Sequence, residues 1–186
     1  MNLQTSLIDG DLHYDGSQLA SHFGYRRLGL LGDSAVGFVG GCEVKLERMV
    51  DLEDVRAEAP IYSPKMLHFI LESFQLDLKA GVLWQRLCIA QIKELLESGG
   101  VRELRRSGDD LYRGANKLSV SIATRSPVST LIHIGLNVLT EGTPVPTLGL
   151  KELGVEEREF GRRCLQAFAE EYRSVLEATC KVRGVP

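Results

Sequence analysis

The chain has 186 residues, with 22 Lys+Arg against 25 Asp+Glu, a net charge of -3 and 44% hydrophobic residues. That length can bury a full core as one domain, and the composition excludes a disordered segment, a coiled coil and a disulfide-stapled miniprotein. The acidic balance argues against a dedicated nucleic-acid binder, which carries a basic footprint, and no apolar run approaches the ~18 residues of a membrane span.

Met1 to Asp15 has neither a basic nor an apolar region, so no signal peptide is expected there. Asp15 to Arg27 reads as a short helix, with Leu19, Ala20 and Phe23 at helical spacing. Leu28 to Leu46 reads as strands with tight turns at Gly32-Asp33 and Gly40-Gly41. Ser63-Pro64 has the chemistry of a helix start, and Met66, Leu67, Ile70, Leu71 and Phe74 follow at helical spacing, with His68 expected on that helix's surface or in its packing. A second long helix is expected from about Val82 to Glu97, ending at Gly99-Gly100, its first half apolar nearly all round. The last helix is expected from Val155 to Lys181, with acidic residues in its first turns and basic ones at its end.

Between these helices, Lys117 to Ala123 and Leu131 to Leu139 each alternate apolar and small or polar residues, and a short connection containing Pro127 predicts an antiparallel hairpin. Strands and helices are segregated, which gives an α+β class with a largely antiparallel sheet and helices packed on it, in a single domain. On alternation alone, Leu118, Val120 and Ile122 share one face, as do Ile132, Ile134, Leu136 and Val138. The opposite face is expected to gather Ser119, Ser121 and Ala123 with His133, Gly135 and Asn137. Small hydroxyl residues beside a glycine leave room and polar groups for a ligand. The alternative is a partly covered face whose small residues allow close packing.

Other clusters carry less. Gly32-Asp33-Ser34 is similar to a hydrolase nucleophile block, but the Asp-x-x-His block that should accompany it is missing. Asp33 and Ser34 can still reach a ligand from a turn. Asp51, Glu53 and Asp54 form an acidic patch, a solvated loop or a carboxylate source for a nucleotide's magnesium. The four histidines have no ligand spacing, and the four cysteines include no Cys-x-x-Cys pair, so reduced thiols in a cytoplasmic protein are expected. Gly108-Asp-Asp110 is similar to a polymerase turn that nothing else supports. The 19 glycines predict tight turns and close backbone approaches, with Gly114 and Gly135 giving a ligand clearance beside the hairpin.

The stretch Gly108-Asp-Asp-Leu-Tyr-Arg-Gly-Ala-Asn-Lys117-Leu-Ser-Val-Ser-Ile-Ala, followed by Leu131-Ile-His-Ile-Gly-Leu-Asn-Val138, resembles the lipoate/biotin-ligase pattern of lysine, small residues and a His-Gly strand. The whole chain resembles an uncharacterised family, domain of unknown function 366. The likeness runs through Gly32-Asp-Ser34, Met49-Val-Asp-Leu-Glu-Asp-Val55, Gln85-Arg-Leu87, Lys117-Leu-Ser-Val-Ser-Ile-Ala-Thr124, Ser126-Pro-Val-Ser-Thr-Leu-Ile-His133 and Glu141-Gly-Thr-Pro-Val-Pro-Thr147. The resemblance implies the class II synthetase / biotin-lipoate ligase fold. It implies an enzyme that activates a carboxylate as an acyl-adenylate, or transfers an acyl group, with ATP and magnesium as its reagents. Lys117 matches the lysine that meets the carboxylate and α-phosphate. Ser119, Ser121, His133, Gly135 and Asn137 would line the site, with Arg86, Asp33, Ser34 and Asp51 as further candidates. The ligases' Arg-x-x-Gly-Gly-Gly loop has no clear counterpart here, and Thr143-Pro-Val-Pro-Thr147 lacks the cysteine of the related octanoyltransferases. Two rivals therefore stand: a non-catalytic small-ligand module, and a homodimeric structural protein on the same fold. Expected partners are a small carboxylate or nucleotide and a second copy of the chain, not nucleic acid or membrane.

Overall fold

The computed structural model describes residues 2–185. A five-stranded sheet, in the order β1-β2-β3-β8-β7, is built from β1 (Gln4–Asp11), β2 (Ser34–Val44), β3 (Ile61–Ser73), β8 (Thr130–Leu139) and β7 (Ser119–Arg125). β1 runs parallel to β2, and every other pairing is antiparallel. A smaller sheet holds β4 (Leu104–Ser107), β5 (Asp110–Arg113) and β6 (Asn116–Lys117).

Apolar side chains cover both faces of the large sheet. On one face Leu67, Phe69, Leu71, Ile132, Ile134 and Leu136 meet two long helices, α3 (Leu78–Ser98) and α4 (Glu157–Cys180). On the other, Val36, Phe38, Met66 and Ile70 meet Tyr14 and Phe23. Phe23 opens the short α1 (Phe23–Leu28), and α2 (Leu52–Arg56) follows β2. Both long helices begin on carboxylate caps. Asp77 accepts from the Ala80 N–H at 2.7 Å, and Glu156 accepts from the Glu159 N–H at 2.6 Å, satisfying amides that have no intrahelical partner. Among the described residues no helix is long and apolar enough to cross a membrane.

The segment after Ser63-Pro64, expected as a helix, is the central strand β3. Its run from Met66 to Leu71 is buried on both faces, and a strand so placed has no reason to alternate, so its pattern is that of a buried helix. Pro64 sits at an irregularity: the register with β2 jumps from Gly40↔Met66 to Cys42↔Ser63, and that with β8 shifts between Lys65 and Met66. A residue without an N–H is tolerated in a strand at such a bulge. The helix expected over Asp15 to Arg27 is confined to α1, with turns before it, and Leu83 on α3 is exposed rather than buried.

Gly40-Gly41 is not a turn but the middle of β2, where a second backbone crosses. Leu12 N–H donates to Val39 O at 2.8 Å and Tyr14 N–H to Gly41 O at 2.9 Å. A Cβ on Gly40 would stand 2.1 Å from the Leu12 carbonyl oxygen. That approach delivers the Tyr14 ring onto the sheet. Gly40→Ala is therefore expected to lower stability by about 3 kcal/mol in urea denaturation, at the upper end of overpacking costs, while Gly184→Ala, whose Cβ meets nothing within 4 Å, leaves it unchanged.

Candidate functional site

Strand register decides which hairpin residues share a face. Ser119, Ser121 and Ala123 lie opposite Leu136, Ile134 and Ile132, whereas Val120 and Ile122 lie opposite Gly135 and His133. Directly paired residues of antiparallel strands point the same way, so the two halves of the expected polar face are on opposite sides. The cause is that register, and Lys117 departs from the parity of Ser119 at Leu118, where the chain passes from the small sheet to the large one. Leu118 N–H donates to Leu111 O and its carbonyl accepts from Asn137 N–H. Leu118 and Ser119 are both fully buried, while Lys117 and Val120 line a cavity.

That cavity, about 660 Å³, opens on the face of the sheet away from α3 and α4. Tyr14, Met66, Val120 and His133 form its floor, and its walls include Asp51 at the start of α2, Asp54 within α2, and Asp109, Asp110 and Lys117. Lys117 is fixed at both backbone and side chain. Its N–H donates to Pro146 O at 3.0 Å, and its carbonyl accepts from Leu148 N–H at 3.0 Å and Asn137 Nδ2 at 3.2 Å. Its Nζ lies 2.7 Å from Asp110 Oδ2. Burial alone would lower the Lys117 pKa, but the hydrogen bond and charge of Asp110, with Tyr112 and Asp54 beyond, outweigh it and leave it raised. Burial likewise raises the Asp110 carboxyl, against the pull of Lys117. An ammonium so held keeps two further N–H donors for a ligand.

Ser119 and Ser121 hold the acidic turn rather than a ligand. Ser119 Oγ accepts from Leu111 N–H at 2.8 Å and donates to Asp110 Oδ1 at 3.3 Å. Ser121 lines the cavity, but its hydroxyl accepts from Gln85 Nε2 at 2.7 Å and donates to the Asp109 carbonyl at 2.9 Å. Gln85 also donates to Asp109 Oδ2 at 2.8 Å.

A column of rings runs from the floor into the core. Tyr14 stacks on His133 with centroids 4.0 Å apart, and Phe38 on His68 at 4.9 Å. His68 Nδ1 and His133 Nε2 are 3.1 Å apart, a distance that needs one proton between them. Burial holds His68 down at about 3 and His133 well below the usual imidazole range, so both rings are neutral at physiological pH. His68, expected on a helix, is fully buried in the central strand.

Of the residues singled out in the sequence, Lys117, Ser121, His133, Asn137 and Asp51 meet at the cavity. The others do not. The space over Gly135 is filled by Met66, whose Cε would be 2.8 Å from an added Cβ. Arg86 lies exposed on α3. Asp33 ties β2 to β3 and α4, accepting from Ser73 Oγ at 2.7 Å, Phe74 N–H at 2.8 Å and the Tyr172 hydroxyl, whose pKa burial first and Asp33 second push up to about 12. Ser34 packs under Gly24. Tyr14, Asp54, Asp109 and Asp110 complete the site. The acidic residues were visible as patches, whereas nothing local in the sequence marks Tyr14.

The profile of one family, "Domain of unknown function (DUF366)", matches residues 3–183. An uncharacterised protein of Methanocaldococcus jannaschii is 39% identical over 152 residues, 78% of this chain and 68% of that one. A solved protein of unknown function from Pyrococcus horikoshi superposes with a TM-score of 0.92 at 46% identity, covering 98% of this chain and 100% of its own. Biotin protein ligase from Aquifex aeolicus, solved in complex with biotin and ATP, superposes with a TM-score of 0.59 at 14% identity, over 90% of this chain and 69% of the ligase. The fold is thus the α+β biotin/lipoate-ligase type with its class II synthetase-like sheet.

The neutral histidine pair carries a pH signature. Unfolded imidazoles protonate near pH 6.5, but these two stay neutral in the folded chain, so stability falls as pH drops below 6.5. Between pH 6.5 and 5, each is expected to contribute a slope of up to about 1.4 kcal/mol per pH unit. Denaturant titrations should find that slope cut by about half in His68→Gln.

Proposed function

The chain belongs to the domain of unknown function (DUF366) family, and from the site it carries we propose that it activates the carboxyl group of a small organic acid. The acid's carboxylate oxygen would attack the α-phosphorus of ATP, forming an acyl-adenylate and releasing pyrophosphate. The observation that carries this reading is the fixing of Lys117 at the cavity wall, by three backbone-directed hydrogen bonds and the Asp110 ion pair. A pre-positioned ammonium stabilises the negative charge that builds on the phosphorus oxygens, and it does so without reorganising at the moment of reaction. Met66, Val120 and the Tyr14 ring offer an apolar bed for the acid's body. The likeness to a ligase solved with biotin and ATP supports the choice of reaction through the fold.

Magnesium would enter on the nucleotide's phosphates, with Asp51 or Asp54 as its protein ligand, since that ion takes one or two carboxylates alongside phosphate oxygens. Among the described residues no three His, Cys, Asp or Glu side chains gather into a ready-made metal site. A second reading, a non-catalytic binding module, is favoured by one observation. Six carboxylates line the cavity (Asp51, Glu53, Asp54, Glu58, Asp109 and Asp110) against two cations, Arg48 and Lys117, and this balance repels a bare triphosphate.

ATP–pyrophosphate exchange over a broad panel of carboxylic acids separates the two. Exchange is expected with some acid and should drop at least about a hundredfold in Lys117→Ala, the usual loss for a charge-stabilising donor. Absence of exchange across the panel, by protein whose circular dichroism is native, establishes the binding-module reading instead.

A further inference from the structure

Resting on that reading, we propose that the body of the acid carries a hydroxyl group, received by Nδ1 of His133 at the cavity floor, and that His68 is the positioning residue that presents this nitrogen as an acceptor. The His133 ring has two nitrogens with different surroundings. Nε2 points into the core, 3.1 Å from His68 Nδ1. The residue is only 3% exposed, yet it lines the cavity. Its Nδ1 makes no hydrogen bond among the described residues and is not sealed in as His68 Nε2 is. That nitrogen is therefore the polar atom the ring offers to an occupant. Its neighbours are apolar. The Tyr14 ring covers its face at 4.0 Å, and Met66 Cε, Val120 Cγ2 and His133 Cε1 crowd one spot, 2.8, 3.2 and 3.5 Å from where a Cβ on Gly135 would stand.

The core decides whether Nδ1 donates or accepts. Two neutral imidazoles carry one N–H each, and one of these must fill the gap between the rings. His68 Nε2 is fully buried with no hydrogen bond of regular geometry, and the Gly40 backbone is the polar group that favours a proton on that ring. A proton on His68 Nε2 leaves its Nδ1 bare, to accept from His133 Nε2–H. The lone pair of His133 then lies on Nδ1, on the cavity side. Burial keeps His133 from taking up a second proton, so Nδ1 accepts a hydrogen bond without becoming charged. Against a plain hydrocarbon body that acceptor is left unsatisfied, at a cost in free energy. An ammonium would bring a charge and two further N–H groups into the same apolar bed, and an amide would bring a carbonyl. A hydroxyl brings one proton and the smallest polar remainder.

Proton–nitrogen NMR of the whole protein, labelled at histidine, tests the tautomer without any ligand. His133 is expected to show a protonated Nε2 and a bare Nδ1; a protonated Nδ1 would overturn the proposal. Calorimetric titration tests the selectivity with hydroxy acids that differ in chain length and hydroxyl position, each beside the plain acid of the same length. At least one hydroxy acid is expected to bind about tenfold tighter than its plain partner, the worth of one hydrogen bond made instead of left unmade. That ratio should fall to near one in His133→Phe, which keeps a ring under Tyr14. It should fall likewise in His68→Leu and recover in His68→Asn, whose side-chain oxygen replaces the Nδ1 acceptor; all three variants are compared with native circular dichroism as the condition. Plain and hydroxy acids binding equally to the wild type would overturn the hydroxyl site and leave the carboxyl-activating reading standing. A hydroxy-acid preference that survives His133→Phe would also overturn it, and so would a panel in which nothing binds. A preference lost in His133→Phe, in protein that shows no ATP–pyrophosphate exchange, would support the hydroxyl site and overturn the activation reading alone.

Discussion

The burial of β3 on both of its faces is the constraint from which the rest of the structure follows. A strand with protein on both sides and strands on both edges must pair its backbone within the sheet, because no water reaches it. Its side chains then divide by parity alone. Leu67, Phe69 and Leu71 go to the helix side, and Met66, His68 and Ile70 to the other. β8 copies that division through its register, sending His133 and Asn137 to the cavity and Ile132, Ile134 and Leu136 to the helices. The site is therefore a property of the sheet's second face, and the two long helices serve as the lining of the first.

One departure from parity brings Lys117 to the cavity. A regular strand through residues 117–121 would place Lys117 on the side of Ser119, behind the cavity wall. The change of sheet at Leu118 lets Leu118 and Ser119 both turn inward, so Lys117 emerges beside Val120. The Asn137 amide and the backbone of residues 146–148 secure this irregular point. The Lys117–Asp110 pair contributes little net stability, since removing both charges from water offsets their attraction. Its consequence is positional: the carboxylate aims the ammonium, and Ser119, Ser121 and Gln85 in turn hold the acidic turn in place.

Local signals were legible in the sequence. α3, α4 and the β7–β8 hairpin are each encoded by contiguous periodicity and by their own caps and breakers, and Lys117 stood out through a resemblance that spans the hairpin. Three things were not legible, for separate physical reasons. β3 is apolar without alternation because both its faces are buried, so spacing cannot tell it from a helix. The pairing of β7 with β8 depends on an offset of one residue, which alternation within each strand does not contain. Tyr14 reaches the floor only because Gly40 lets another backbone lie across β2, and that is a contact between distant segments. Gly135 misled for a related reason: a glycine signals missing volume, but not whether a ligand or a neighbouring methionine fills it.

The neutrality of the ring column bears on what the cavity can hold. His133 forms part of the floor, and a protonated imidazole there would place a positive charge beneath the occupant, opposing the field of the surrounding carboxylates. Burial prevents it: His133 has His68 at one nitrogen and the Tyr14 ring on its face, and a charge shared by two desolvated imidazoles has nowhere to be solvated. The floor thus offers polarity without charge. Core packing, rather than any charge partner, keeps this part of the floor uncharged.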